Sequence, residues 1–256
     1  MKQFIAFIHK EYLELHRGGK LFLLLAIALI FGLLSPALAK LTPVLFEALG
    51  EELAEQGMLI QEITVTALTS WSQFYKNLSI VIILPAIFFG GTMAYEYQKG
   101  TLINLLTKGL ERWKVIISKF LFMTFIWTVF YLIVFLTTYF YTDFYWDNSI
   151  VENIIPAALG IYFFGIMLMA LVILGGSLTS TATSNLLLVG GIYIVMYILS
   201  AFSKIASFIP VKLLSMELIT AGGLTFDSYG LPLIVTLAIT VLSVCGAVMT
   251  FSKRRL

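Results

Sequence analysis

Residues 93–119 read MAYEYQKGTLINLLTKGLERWKVIISK, a polar stretch set between two long apolar runs. Lys99, Lys108, Arg112, Lys114 and Lys119 outnumber Glu96 and Glu111 within it. A basic loop joining two apolar spans belongs on the cytoplasmic side of a membrane. That side fixes the orientation of every other span, because successive spans alternate in direction.

The composition agrees with a membrane class. The 256 residues are 60% hydrophobic and 12% charged, whereas a soluble domain carries about a quarter charged residues. So much apolar material exceeds what a water-soluble core of this length uses, which points to an all-α polytopic membrane protein. The lone cysteine, Cys245, excludes an intramolecular disulfide framework and a cysteine-based zinc site. The first sixteen residues are charged and amphipathic, and the apolar run after them is of spanning length without an A-x-A-like site. No cleavable signal is expected, and the first span serves as the insertion signal.

Six spans are expected, at residues 21–39, 78–94, 115–141, 154–178, 186–202 and 231–251. The first matches the hydrocarbon layer at 1.5 Å per residue, and the third is long enough to tilt or to project beyond it. Residues 1–20 precede them. Phe4, Phe7, Ile8, Tyr12 and Leu15 recur there at three- and four-residue spacing, which predicts a helix lying in the bilayer interface. Pro36 is expected to kink or end the first span. Residues 40–76 form an acidic outer interval with a short amphipathic helix. Pro85 and Gly90-Gly91 interrupt the second span. The uncharged, cap-rich turn from Ser177 to Asn185 predicts a tight hairpin between the fourth and fifth spans. Residues 203–230 are too apolar for a solvated loop and too broken for a span. They predict a re-entrant segment turning at Gly222-Gly223.

Charge placement tests the orientation. Lys2, Lys10, Arg17, Lys20, the five loop cations, Lys253, Arg254 and Arg255 fall on one side. Only Lys40, Lys76, Lys204 and Lys212 fall on the other. This bias places the loop 95–114 and both termini in the cytoplasm.

Chemistry is sparse. No span centre holds an acidic, basic or histidine residue, and such residues mark the ion paths of coupled transporters. No phosphate-binding loop is present, so ATP is not expected on this chain. Leu174-Gly175-Gly176-Ser177 matches part of an ATPase signature but lies at a span end. The pair Glu51-Glu52 raises an intramembrane protease using paired glutamates, yet His9 and His16 both lie outside the spans. A solvated helix face explains the pair better. The expected reading is non-enzymatic, with no metal, cofactor or nucleic acid.

The loop carries a family pattern. Glu96-Tyr97-Gln98-Lys99-Gly100-Thr101-Leu102, then Leu105-Leu106, then Arg112 to Lys119, resembles the permease subunits of ABC-2 type transporters. The likeness extends over nearly the whole chain, from the interfacial helix to the segment before the last span. In that family the loop is a coupling helix seated in a cleft of a separate ATPase. The resemblance therefore implies coupling roles for Glu96, Tyr97, Lys99, Gly100, Thr101, Leu102, Leu105, Leu106, Lys108 and Arg112.

It also implies two copies of a cytoplasmic ATPase, which would hold ATP and magnesium, and a second permease copy, identical or related. The setting would be the bacterial plasma membrane. Outward movement of hydrophobic or amphipathic cargo is expected, such as small antimicrobial or toxin peptides or lipophilic drugs. An ATP-independent channel or scaffold, or an intramembrane enzyme, is the alternative. Local physics adds three expectations. Gly100-Thr101 breaks the preceding helix, with Thr101 as cap. Leu102, Leu105 and Leu106 form one apolar face. Glu96 pairs with Lys99 one turn later, or with the ATPase.

Overall fold

The computed structural model describes residues 2–55, 64–222 and 226–254. Its secondary structure is helical throughout, 87% of the chain, and six helices are long and apolar enough to cross a membrane. α1 is Lys2–Arg17 and α2 is Lys20–Glu55. The second span is built from α3 (Ala67–Val81), α4 (Ile83–Phe89) and α5 (Thr92–Lys99). α6 (Thr101–Thr107) fills the loop, and α7 (Arg112–Tyr145) returns. α8 (Ile154–Leu178) and α9 (Ala182–Ser200) form a hairpin. Two short helices follow, α10 (Ser203–Ala206) and α11 (Glu217–Thr220), and α12 (Gly230–Lys253) closes the fold.

α8 is the hub, packed against α7, α9 and α12. The most apolar window of α8 is 72% buried, against 11% for α9. Small residues let neighbours approach α8 closely. At Gly165 a Cβ would stand 2.2 Å from the Trp127 ring of α7, so no side chain fits there. Trp127 is fully buried and donates from Nε1 to the Tyr162 carbonyl at 3.0 Å.

Pro36 does not end the first span. α2 runs unbroken through Pro36 and Pro43, and the outer interval begins as its extension instead of a separate helix. Proline at 36 deprives the Gly32 carbonyl of its helical donor. The Thr138 hydroxyl of α7 fills that vacancy at 3.0 Å. At 36 residues, α2 is about 54 Å long and overshoots the hydrocarbon layer.

The second span also begins earlier than its apolar run suggests. Helix starts at Ala67, because Trp71 and Phe74 bury against Phe135 and Tyr139 of α7 and Tyr75 buries beside them, while Lys76 points out. Its interruptions lie at Ile82, three residues before Pro85, and at Gly90-Gly91. The hairpin turn shortens to residues 179–181, since the Thr181 hydroxyl caps α9 by accepting from the Ser184 N–H at 3.1 Å.

Residues 203–222 are short helical turns. The 3-10 turn Pro210–Ser215 packs on α8, α9 and α12, burying Leu213, Met216 and Ile219. Gly222 adopts a left-handed φ of 72°. Gly223 and Leu224 lie outside the described residues, as does Glu62.

Candidate functional site: the loop between the second and third spans

Gly100 ends α5 and begins α6. Its φ of 64° lies in the left-handed region, where a side chain is strained. Gly100 itself occupies the cap position, and Thr101 is the first helical residue. The Thr101 hydroxyl is buried without a partner, so the expected threonine cap does not form.

The leucines do not point outward together. Leu102 is 1% exposed, and Leu106 is half-buried against the core. The Leu105 side chain lies outside the described residues. The outer face of the loop consists of Lys99, Ile103, Asn104, Thr107 and Lys108, with Ile103 46% exposed. The 3.6-residue repeat puts the leucines on one face but does not say which side that face meets, and here the core claims Leu102 and part of Leu106. Glu111 closes the loop. Hydrogen bonds from Lys114 and Trp113 hold its carboxyl below the usual range.

Tyr97 and Arg112 are committed inward. The Tyr97 hydroxyl donates to the Gly176 carbonyl at 3.1 Å, and the Arg254 guanidinium lies 4.1 Å over its ring. Arg112 donates to the Phe251 carbonyl at 3.0 Å and to the Ser252 and Arg254 carbonyls, capping the end of α12. Arg254 in turn donates to the Ser177 and Thr179 carbonyls at 2.7 and 2.8 Å. Together these bonds lash α5, α7, α8 and α12 at the loop end.

Glu96 is 3% exposed and pairs with neither Lys99 nor a free surface. It belongs to a ring of four charges, of which Glu11, Glu96 and Lys119 are buried and Lys10 is half-buried at the edge. Lys119 of α7 lies 2.8 Å from Glu11 Oε1 and 3.2 Å from Glu96 Oε2, the second a charge contact without hydrogen-bond geometry. Lys10 closes the ring on Glu11 at 3.0 Å and on Glu96, and reaches Glu14 at 3.1 Å. The Phe7 ring lies 5.3 Å from one ammonium and 5.5 Å from the other.

Burial opposes the Glu11 carboxylate, yet Lys119 and Lys10 together pull its pKa below the usual value. Burial likewise opposes the Lys10 charge, and Glu11 and Glu96 more than restore it, raising its pKa. Glu11, Glu14 and Glu96 converge closely enough to suggest a cation site. Lys10 and Lys119 already pair with Glu11 and Glu96, and Glu14, also within reach of Lys10, is exposed.

Reading the sequence alone missed this ring. It counted Lys119 as a solvated loop cation, yet Lys119 is 1% exposed. The signal was present in α1, where Phe7, Glu11 and Leu15 recur every four residues and are the buried face, while Tyr12 is 42% exposed. A carboxylate on an apolar stripe requires a partner.

The loop is thus a short helix between two spans, tied at its base to the ends of α1, α8 and α12. The sequence profile of the ABC-2 family transporter proteins matches residues 5–241. The chain belongs to that family. No curated protein matches the chain. As a permease of this kind it is a multi-pass membrane protein and the transport component, not catalytic by itself, and its family works with an ABC ATPase.

Proposed function

We propose that this permease is the membrane subunit of an ATP-driven exporter, moving hydrophobic or amphipathic cargo such as small peptides or lipophilic drugs out of the cell. The observation that carries the reading is α6. It is a seven-residue helix set off by left-handed glycines at 100 and 109, with its base anchored and its tip exposed. In the proposed complex two ATPase copies, holding ATP and magnesium, each receive one such tip from a pair of permeases. Ile103 is the apolar anchor, with Lys99 and Lys108 at the rim, so contact passes from Leu102 to its exposed neighbour. Glu96, Tyr97, Gly100, Thr101, Leu106 and Arg112 carry the movement inward instead of touching the ATPase. ATP-driven closure would act as the ligand that prefers one arrangement of the spans.

The test is co-purification with the ATPase and ATP hydrolysis in lipid. Ile103→Glu combined with Lys108→Glu should abolish both association and cargo-stimulated hydrolysis, while the permease remains monodisperse. Undiminished association and hydrolysis in that variant would overturn the docking site.

A further inference from the structure

At the end of the bundle opposite the loop, α3, α9 and the turns before α11 enclose a hollow of about 520 Å³. That volume suits a drug-sized molecule or a very short peptide. Its walls hold two buried polar atoms that lack a partner among the described residues. Tyr75 is 1% exposed, and its hydroxyl has no hydrogen-bond partner among the described residues. Glu217 Oε2 is buried in the same wall and is also unpartnered. A buried phenol and a buried carboxylate oxygen each cost free energy unless something bonds to them.

The lysines of the hollow do not meet that need. Lys212 donates to the Ser228 carbonyl at 3.1 Å and lies 5.3 Å from the Tyr229 ring, which itself is fixed by a 2.9 Å bond to the Ser215 carbonyl. No lysine, arginine or histidine nitrogen among the described residues comes within ion-pair distance of Glu217. Lys76 is exposed, where water screens its charge. The remaining lining is uncharged: Tyr193 and Tyr197, aliphatic side chains, and Ser79, Ser200 and Ser215.

We infer that this hollow seats an amphipathic amine. Its ammonium rests on Glu217, the Tyr75 hydroxyl makes the second hydrogen bond, and its apolar body lies against Tyr193 and Tyr197. The amino end of a short hydrophobic peptide and the amine of a lipophilic drug share this chemistry. The inference narrows the cargo class of the exporter reading and rests on it for its meaning, but the binding itself needs no ATPase.

The probe is radiolabelled phenylalanyl-phenylalanine amide, added to the full chain in nanodiscs without ATPase. Its N-acetylated form serves as the neutral comparison and N-acetyl-phenylalanyl-phenylalanine as the anionic one. The amine should bind at least about tenfold more tightly than either, as expected for a hydrogen-bonded charge in a buried site. Glu217→Gln, which keeps the shape, should erase that preference. Tyr75→Phe should weaken the amine by a few-fold. A phenyl-substituted aliphatic amine that competes equally would show that the site reads the amine and not the peptide bond. Equal binding of the three peptides, tighter binding of the anion, or a preference that survives Glu217→Gln would overturn the inference. Binding as expected in a chain that fails to couple to an ATPase would sink the exporter reading and leave the site standing.

Discussion

The two ends of the bundle are held by different chemistry. At the loop end the ties are ionic: the ring of Lys10, Glu11, Glu96 and Lys119, and the guanidiniums of Arg112 and Arg254 on backbone carbonyls. At the far end the ties between spans are hydrogen bonds between neutral groups, and the Lys212 ammonium is engaged with the Ser228 carbonyl. Trp71 Nε1 donates to Asn148 Oδ1 at 2.9 Å, and Ser70 and Thr142 share a hydroxyl bond of 2.6 Å. That end also contains the open hollow with an unpartnered phenol and carboxylate. Charge pairs removed from water fix geometry strongly because losing one member strands the other. Neutral bonds are individually weaker and are exchanged at lower cost. The loop end is thus built to move as one piece, and the far end is built to rearrange around a guest.

The sharpest way to break this contrast is at Lys119. Lys119→Met leaves Glu11 and Glu96 buried with Lys10 alone, and stability should fall by about 3–5 kcal/mol. Adding Glu11→Gln removes one stranded charge, so the double variant should unfold at a higher temperature than the single one. Thermal unfolding in detergent, followed by intrinsic fluorescence, measures both. A Lys119→Met chain as stable as the parent would mean that the ring does not hold α1 against α7.

The far-end counterpart is Trp71→Phe. It keeps most of the ring packing and removes the N–H, leaving Asn148 Oδ1 without its donor. The expected loss is about 1–3 kcal/mol, below that at Lys119. A larger loss than at Lys119 would reverse the contrast between the ends.

Gly100→Ala comes next. A Cβ at this position meets nothing within 4 Å, so the cost is purely that of a left-handed φ, about 1 kcal/mol. Because the strain is concentrated at the α5–α6 joint, cargo-stimulated hydrolysis should fall more than stability does. Equal loss of both would make Gly100 a folding residue only.

Much of this was legible in the sequence, and the failures have physical causes. Long apolar runs and the charge bias gave the six helices and the family pattern, because a bilayer allows few other solutions. Helix ends were less legible. Pro36 is tolerated only because Thr138, a hundred residues away, replaces the missing donor. The loop's periodicity grouped Leu102 with Leu106 but could not tell core from surface. The ring was hidden for the same reason: Lys119 is an ordinary loop cation until α1 folds back and brings Glu11 to within 2.8 Å. The apolar stripe of α1 shows that Glu11 needs a partner, but nothing local names one 108 positions away.

The smallest expected effect is that of pH on α1. Glu11 is held below its ordinary 4.5 by Lys119 and Lys10 against the cost of burial. A depressed carboxylate contributes its full stability above the ordinary value and loses it only as pH falls through the lower folded one. Lys10 is held above its ordinary 10.5 by Glu11 and Glu96, again against burial. A raised ammonium contributes fully below the ordinary value and loses it only as pH climbs through the higher folded one. Between about pH 5.5 and 9.5 neither group changes charge, so the docking of α1 should stay flat. A spin label at the exposed position Ala6→Cys, in a Cys245→Ser background, reports helix mobility directly. Mobility should rise only below about pH 4.5, where Glu11 takes up its proton and Lys119 loses a partner. His9 and His16 are both exposed on α1, away from the ring. A transition near neutral pH would therefore mean that something other than the ring holds α1 in place.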